Sequence, residues 1–199
     1  MLLVGIKQNT PEWLQWRKGK ICASDAPIIM GVSPYKNVDK LIDEKVRCYE
    51  QHVTYYMQRG KDLESIALGK FEQETGLIMF PMVGVHDSID WMAASFDGVS
   101  ICRKFIIEIK APGKKDHALA LQGKVPEKYY PQVQHQICVS DVEFAYYYSF
   151  DGENGVTIKV DRDEKFIEKM VDMERDFWDT LHSVTLEKSK KADHATSII

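Results

Sequence analysis

Little in this chain of 199 residues is built for thiolate–metal chemistry, for a membrane, or for passive coating of a polyanion. The four cysteines, Cys22, Cys48, Cys102 and Cys138, show no CxxC spacing and read as reduced thiols packed as small apolar residues. Six histidines without metal-ligand spacing argue against zinc. No apolar run reaches the roughly 18 residues of a membrane span. The opening Met1-Leu2-Leu3-Val4-Gly5 carries no basic segment and soon meets Lys7 and Gln8, so no signal peptide and a cytoplasmic location are expected. A net charge of −4 is the wrong sign for a protein that merely coats nucleic acid. Repeats, low-complexity blocks and interdomain linkers are absent. The length suits one domain with a good core, and 44% hydrophobic residues is ordinary for a soluble globular protein. The expected organisation is a single domain over residues 1–186 and a polar, lysine-bearing flexible tail over 187–199.

What is present gathers around Asp97-Gly98 and, eleven positions on, Glu108-Ile109-Lys110. The run Phe105-Ile106-Ile107-Glu108-Ile109-Lys110 is otherwise apolar and β-branched, as in a strand buried on both faces. A carboxylate and an ammonium there cost several kcal/mol per ion, roughly, unless paired or holding a metal. Residues two apart on a strand share a side, so Glu108 and Lys110 project together. An Asp on a neighbouring strand adds a second oxygen ligand, and oxygen donors without His or thiolate suit a hard cation such as Mg²⁺. The alternative is a lone buried ion pair.

Two further segments bear on that choice. In Gly60–Phe71, Leu63, Ile66, Ala67 and Lys70 follow one helical row and Glu64, Leu68 and Phe71 the adjoining one. Glu64 thus stands at the edge of the apolar face, turned inward to a site or outward to solvent. In Pro126–Gln136, Tyr129, Val133 and Ile137 recur at helical spacing with Gln132 and Gln136 as a polar row beside them. Gln132 orients a water or phosphate, or is a surface glutamine.

Thr10-Pro11 starts a helix, with Thr as N-cap and Pro in the first turn. Ser24 is placed to cap a second helix before Gly31. Helices are expected near 37–50, 61–75, 127–139 and 163–182, the second closed by Gly76. Phe166, Met170, Met173, Phe177 and Leu181 turn inward on the last, and Trp178 reads as core or subunit contact. Strands are expected near 79–87, 91–97, 103–110, 143–150 and 155–160. The fold class is α/β or α+β, a central mixed sheet flanked by helices.

Trp13…Arg17-Lys18-Gly19, Ala23-Ser24-Asp25, Gly60…Glu64, Ser95-Phe96-Asp97-Gly98, Glu108-Ile109-Lys110-Ala111-Pro112 and Tyr130-Pro131-Gln132-Val133-Gln134 occur in that order along nearly the whole chain. This ordered set resembles the PD-(D/E)xK nuclease superfamily, and more narrowly its lambda-exonuclease-like, YqaJ-type viral recombinases. The resemblance implies a restriction-endonuclease-like core and a Mg²⁺-dependent 5′-to-3′ exonuclease, with Mn²⁺ able to substitute. Such an enzyme digests one strand of linear duplex DNA and leaves a 3′ single strand for phage-type recombination in a bacterial host. It also implies a DNA-threaded homotrimer working beside a single-strand annealing protein. The catalytic set is Glu64, Asp97, Glu108, Lys110 and Gln132. Asp97, Glu108, the Ile109 carbonyl and Glu64 serve the metal. Arg17, Ser24 and Ser95 match positions that grip a terminal 5′-phosphate, and Met57 matches an apolar wedge against the duplex end. Arg suits phosphate recognition, whereas Ser24 taken alone is an N-cap and Met57 taken alone is a packing residue. The family has a further phosphate-binding arginine where this chain has Asp116, which weakens the expected 5′-phosphate dependence; Lys114 or Lys115 are candidate substitutes. Lys18 and Lys20, with that lysine pair, are candidate basic walls. The cysteine pattern does not match superfamily members that carry an iron–sulfur cluster. Two other readings stay open, a restriction-type endonuclease and a non-catalytic DNA-binding scaffold.

Overall fold

The computed structural model describes the backbone of residues 1–47 and 54–196, and the side chains of these except Tyr56, Met57 and 187–196. In chain order the elements are β1 (Leu2–Leu3), α1 (Pro11–Lys18), β2 (Ile21–Cys22), α2 (Ala26–Ile29), α3 (Val38–Arg47), α4 (Tyr55–Thr75), β3 (Met79–Val85), β4 (Met92–Ser100), β5 (Ile106–Lys110), α5 (Lys114–Leu121), a 3-10 turn (Glu127–Tyr129), α6 (Tyr130–Ser140), β6 (Phe144–Phe150), β7 (Gly155–Asp161) and α7 (Glu164–Thr196).

The strands make one mixed sheet of seven, in the order β1-β3-β4-β5-β6-β7, with β2 paired parallel to β4 off that path. The β5–β6 pair is parallel, so the chain must cross over between them, and α5 and α6 occupy that crossover. Strand alternation sorts β5 between two layers. Ile106 packs with Val133 and Ile137 of α6 and Met170 of α7. Ile107 and Ile109 pack on the other face with Ala67 and Phe71 of α4 and Tyr148 and Phe150 of β6. A third cluster, including Ile28, Leu41, Phe177 and Leu181, joins α2 and α3 to α7. Among the described residues no helix is long and apolar enough to cross a membrane.

The central mixed sheet flanked by helices matches the fold class expected from the sequence. Thr10 caps α1, its side chain accepting from the Trp13 N–H at 3.2 Å, with Pro11 in the first turn. Gly76, at φ 71°, closes α4. Several local expectations change. The N-cap position of α2 is Asp25, and Ser24 lies one residue outside it, bonded elsewhere. Helix α4 starts at Tyr55 rather than near 61, and Arg59, within this added part of the helix, ties it to the Ala111 and Asp151 carbonyls. Ile66 is exposed, and the buried edge of α4 runs through Leu63, Ala67 and Phe71. Helix α7 continues past 182 to Thr196, through a lysine-bearing polar stretch without Gly or Pro. Trp178 stacks on Trp91 at 6.0 Å, a packing contact.

Candidate functional site

The antiparallel ladder between β4 and β5 stops at Gly98↔Ile107. Gly98 is required there, since a Cβ would stand 2.7 Å from Met79 Cβ and 2.8 Å from Ile107 Cγ2. Beyond it the strands part and a side chain takes over the pairing: the Ile109 N–H donates to Asp97 Oδ2 at 2.7 Å. Parting the strands opens the notch in which the polar residues gather. Glu108, 2% exposed, lies in it among otherwise apolar neighbours on β5.

Each Glu108 oxygen is held. Gln132 Nε2 donates to Oε1 at 2.6 Å and Gln136 Nε2 to Oε2 at 2.5 Å, from successive turns of α6. Lys110 Nζ, on the same side of β5 as Glu108, makes an ion pair with Oε1. Gln136 Nε2 also donates to the Ser95 carbonyl at 3.3 Å, tying α6 to β4.

Like charge dominates the notch. Burial pushes the Asp97 carboxyl well above its ordinary range, and the nearby carboxylates Glu108 and Glu64 push it further against the pull of Lys110 and the Ile109 N–H. Glu64 is raised for the same reasons, burial first and Glu108 second, with Lys110 and Lys61 opposing. Burial alone would lower the Lys110 ammonium, but Glu108 and Asp97 outweigh it and raise it. Three carboxyl groups thus share one close ammonium. Among the described residues no three His, Cys, Asp or Glu side chains converge as a finished metal cage. The donors are nonetheless of the right class for a hard cation: carboxylate oxygens, with negative charge in excess.

A second cluster lies across β4. Arg17 donates from an Nη to Ser24 Oγ at 2.6 Å, and its guanidinium lies 4.4 Å over the Trp13 ring. Trp13 Nε1 donates to Ser95 Oγ at 2.8 Å. Trp13 therefore links Arg17 and Ser24 to Ser95, whose carbonyl is bound through Gln136 to Glu108.

The fold brings Glu64, Asp97, Glu108, Lys110 and Gln132 into one notch, and Arg17, Ser24 and Ser95 into one adjoining cluster. Gln132 reaches Glu108 rather than Lys110, so what it holds is the carboxylate. Glu108 and Asp97 favour the ammonium form of Lys110 over the opposing pull of burial. Asp116 is ion-paired with Lys128 at 2.7 Å. The Met57 side chain lies outside the described residues. Sequence reasoning missed the role of Gln136, although its place four residues after Gln132 was the available signal. It also missed Arg59, which donates to the Ala111 carbonyl at 3.0 Å and the Asp151 carbonyl at 2.7 Å and so anchors the start of the Glu64 helix.

A model of the YqaJ-like viral recombinase domain family matches residues 12–143 of this chain. The chain is 28% identical over 182 residues to the uncharacterized protein YqaJ of Bacillus subtilis, a match covering 86% of this chain and 56% of that protein. The chain thus spans about half the length of that curated relative. Among solved structures it resembles an alkaline exonuclease from Laribacter hongkongensis at a TM-score of 0.81 and 24% identity, over 94% of this chain and 100% of that one. The structure of the same exonuclease in complex with dAMP gives a TM-score of 0.80 at 24% identity over the same shares. A phage-related exonuclease from Haemophilus somnus gives 0.61 at 17% identity, over 82% and 95% of the two chains. At these identities the structural likeness is one of fold.

Proposed function

The chain belongs to the YqaJ-like viral recombinase domain family, and from that premise we propose that it is a Mg²⁺-dependent exonuclease digesting one strand of linear duplex DNA from its 5′ end. Hydrolysing a phosphodiester needs an activated water, neutralised charge at phosphorus and a stabilised leaving oxygen. Asp97, Glu108 and the Ile109 carbonyl would hold Mg²⁺, with Glu64 in reserve for a second ion; Mn²⁺ has the same oxygen preference. A bound cation supplies Lewis acidity toward the phosphoryl oxygen and a more acidic water.

The chain's own residues do the rest. Gln132 and Gln136 hold both oxygens of Glu108, so its carboxylate is oriented before substrate arrives. Lys110 Nζ orients the attacking water and offsets charge on the phosphate. Arg17, fixed over Trp13 and bonded to Ser24, offers a guanidinium to a terminal phosphate, with Ser95 beside it. The carrying observation is the buried Glu108, bound by two glutamines and a lysine inside an excess of carboxyl groups. Family membership further supports DNA ends as substrate, a homotrimer, a single-strand annealing partner and a phage-type role in a bacterial cytoplasm. A duplex wedge at Met57 remains part of the proposal.

A linear duplex labelled at either end, beside a covalently closed circle, tests this reading. In Mg²⁺ the 5′ label is released first and the circle stays intact. Release of the 3′ label first sinks the polarity, and opening of the circle favours a restriction-type endonuclease.

A further inference from the structure

Tyr35 stands on the segment between α2 and α3 with 73% of its surface exposed, yet it is not loose. Its hydroxyl accepts from Lys128 Nζ at 2.8 Å, and its N–H donates to Ser33 Oγ at 3.3 Å. The Lys128 ammonium lies 5.1 Å from the centroids of both Tyr35 and Tyr129, and Asp116 pins it at 2.7 Å. Tyr129 also meets Lys110 Nζ, 5.5 Å from the ring centroid. Tyr129 is backed by Tyr147, stacked at 6.0 Å and 27°. Rings and ammoniums therefore alternate outward from the notch: Lys110, Tyr129, Lys128, Tyr35. Three separate chain segments build this row, and its last ring is turned to solvent with its hydroxyl already tied.

An apolar face held open in water, next to a cation that cannot swing away, suits a flat π-system joined to a negative charge. Every nucleobase presents such a face, and stacking on an aromatic ring tolerates any sequence. Resting on the nuclease reading, we propose that Tyr35 and Lys128, backed by Tyr129, form a subsite for the unpaired nucleotides next to the scissile phosphate. A base stacks on Tyr35 and its backbone phosphate lies at Lys128. Stacking there replaces part of the stacking lost when the duplex end opens.

The test uses the full chain carrying Glu108→Gln, so that DNA is bound without being consumed. The probe is a blunt-bodied duplex with a short unpaired tail carrying 2-aminopurine at each tail position in turn. One position is quenched on binding. Tyr35→Ala removes that quenching and weakens binding about tenfold, whereas Tyr35→Phe keeps the quenching. The pair Lys128→Ala with Asp116→Asn, which removes the whole ion pair, flattens the salt dependence by about one phosphate contact. Unchanged quenching and affinity in Tyr35→Ala overturns the subsite, and so does loss of quenching in Tyr35→Phe, which would mean that the hydroxyl rather than the ring is used. Digestion of linear duplex by the wild-type chain is run in parallel. If it proceeds while Tyr35→Ala binds normally, the subsite alone is wrong; if neither digestion nor DNA binding occurs, the nuclease reading falls and takes the subsite with it.

Discussion

Helix α6 carries two buried acid–base arrangements, and they differ in balance. On one side His135 and Glu174 of α7, both fully buried, meet through Nδ1 and Oε1 at 2.7 Å, while His135 Nε2 binds the Ala93 carbonyl at 2.9 Å. Glu174 outweighs the burial that would lower His135 and raises it. One acid meets one base, sealed from solvent, and the bond fixes α6 against β4 and α7. On the other side Gln132 and Gln136 reach Glu108, where three carboxyl groups share Lys110, itself a quarter exposed. A closed, charge-matched pair holds a fold together. An open pair with surplus negative charge leaves the fold something to gain from a cation.

Four substitutions break or sharpen that contrast, the largest effect first. Lys110→Ala lowers the rate of DNA hydrolysis by roughly 10²–10³-fold or more, measured by mononucleotide release, while circular dichroism shows the fold intact. His135→Ala does the reverse: it strands Glu174 and costs about 3–5 kcal/mol of stability in denaturant melts, whereas an apolar replacement of both partners costs far less. Asp97→Asn removes a like charge from the notch. Asp97 and Glu64 are raised in the folded protein, so the stability they contribute is full below their unfolded values and is lost as pH climbs through the raised ones. Metal-free Tm of the wild type therefore falls relative to that of Asp97→Asn as pH rises above the ordinary carboxylate range. Mg²⁺ raises wild-type Tm by a few degrees at pH 8, less at pH 5, and barely at all in the variant. The smallest effect is Arg17→Ala, which slows digestion of 5′-phosphorylated ends by about tenfold, as for loss of one charge-assisted contact, and hydroxyl ends less.

Much of the site was legible because burial makes charge conspicuous. Glu108 and Lys110 stood out inside Ile-rich β5, and Thr10-Pro11 announced α1 by cap chemistry alone. Gln132 was visible as one of a polar row on α6, but that Gln136 belongs to the same carboxylate depends on where β5 lies against α6, a long-range fact. Helix α5 was invisible for a similar reason: only His117 and Ala120 are buried on it, too few to set up a period. Strands β1 and β2 are two residues each, shorter than any alternation that could announce them. Ser24 shows how tertiary structure overrides local preference. It looks like an N-cap, but Arg17, seven residues earlier, takes its hydroxyl and leaves the cap position to Asp25.

The most direct measurement is the initial rate of mononucleotide release from a blunt linear duplex as a function of Mg²⁺, for the wild-type chain and Glu108→Gln. The account predicts a saturable rise with Mg²⁺, no release in EDTA, and a rate in Glu108→Gln at least about 10²-fold lower at every concentration. Release that persists in EDTA, or a Glu108→Gln chain that digests DNA at the wild-type rate, would contradict it.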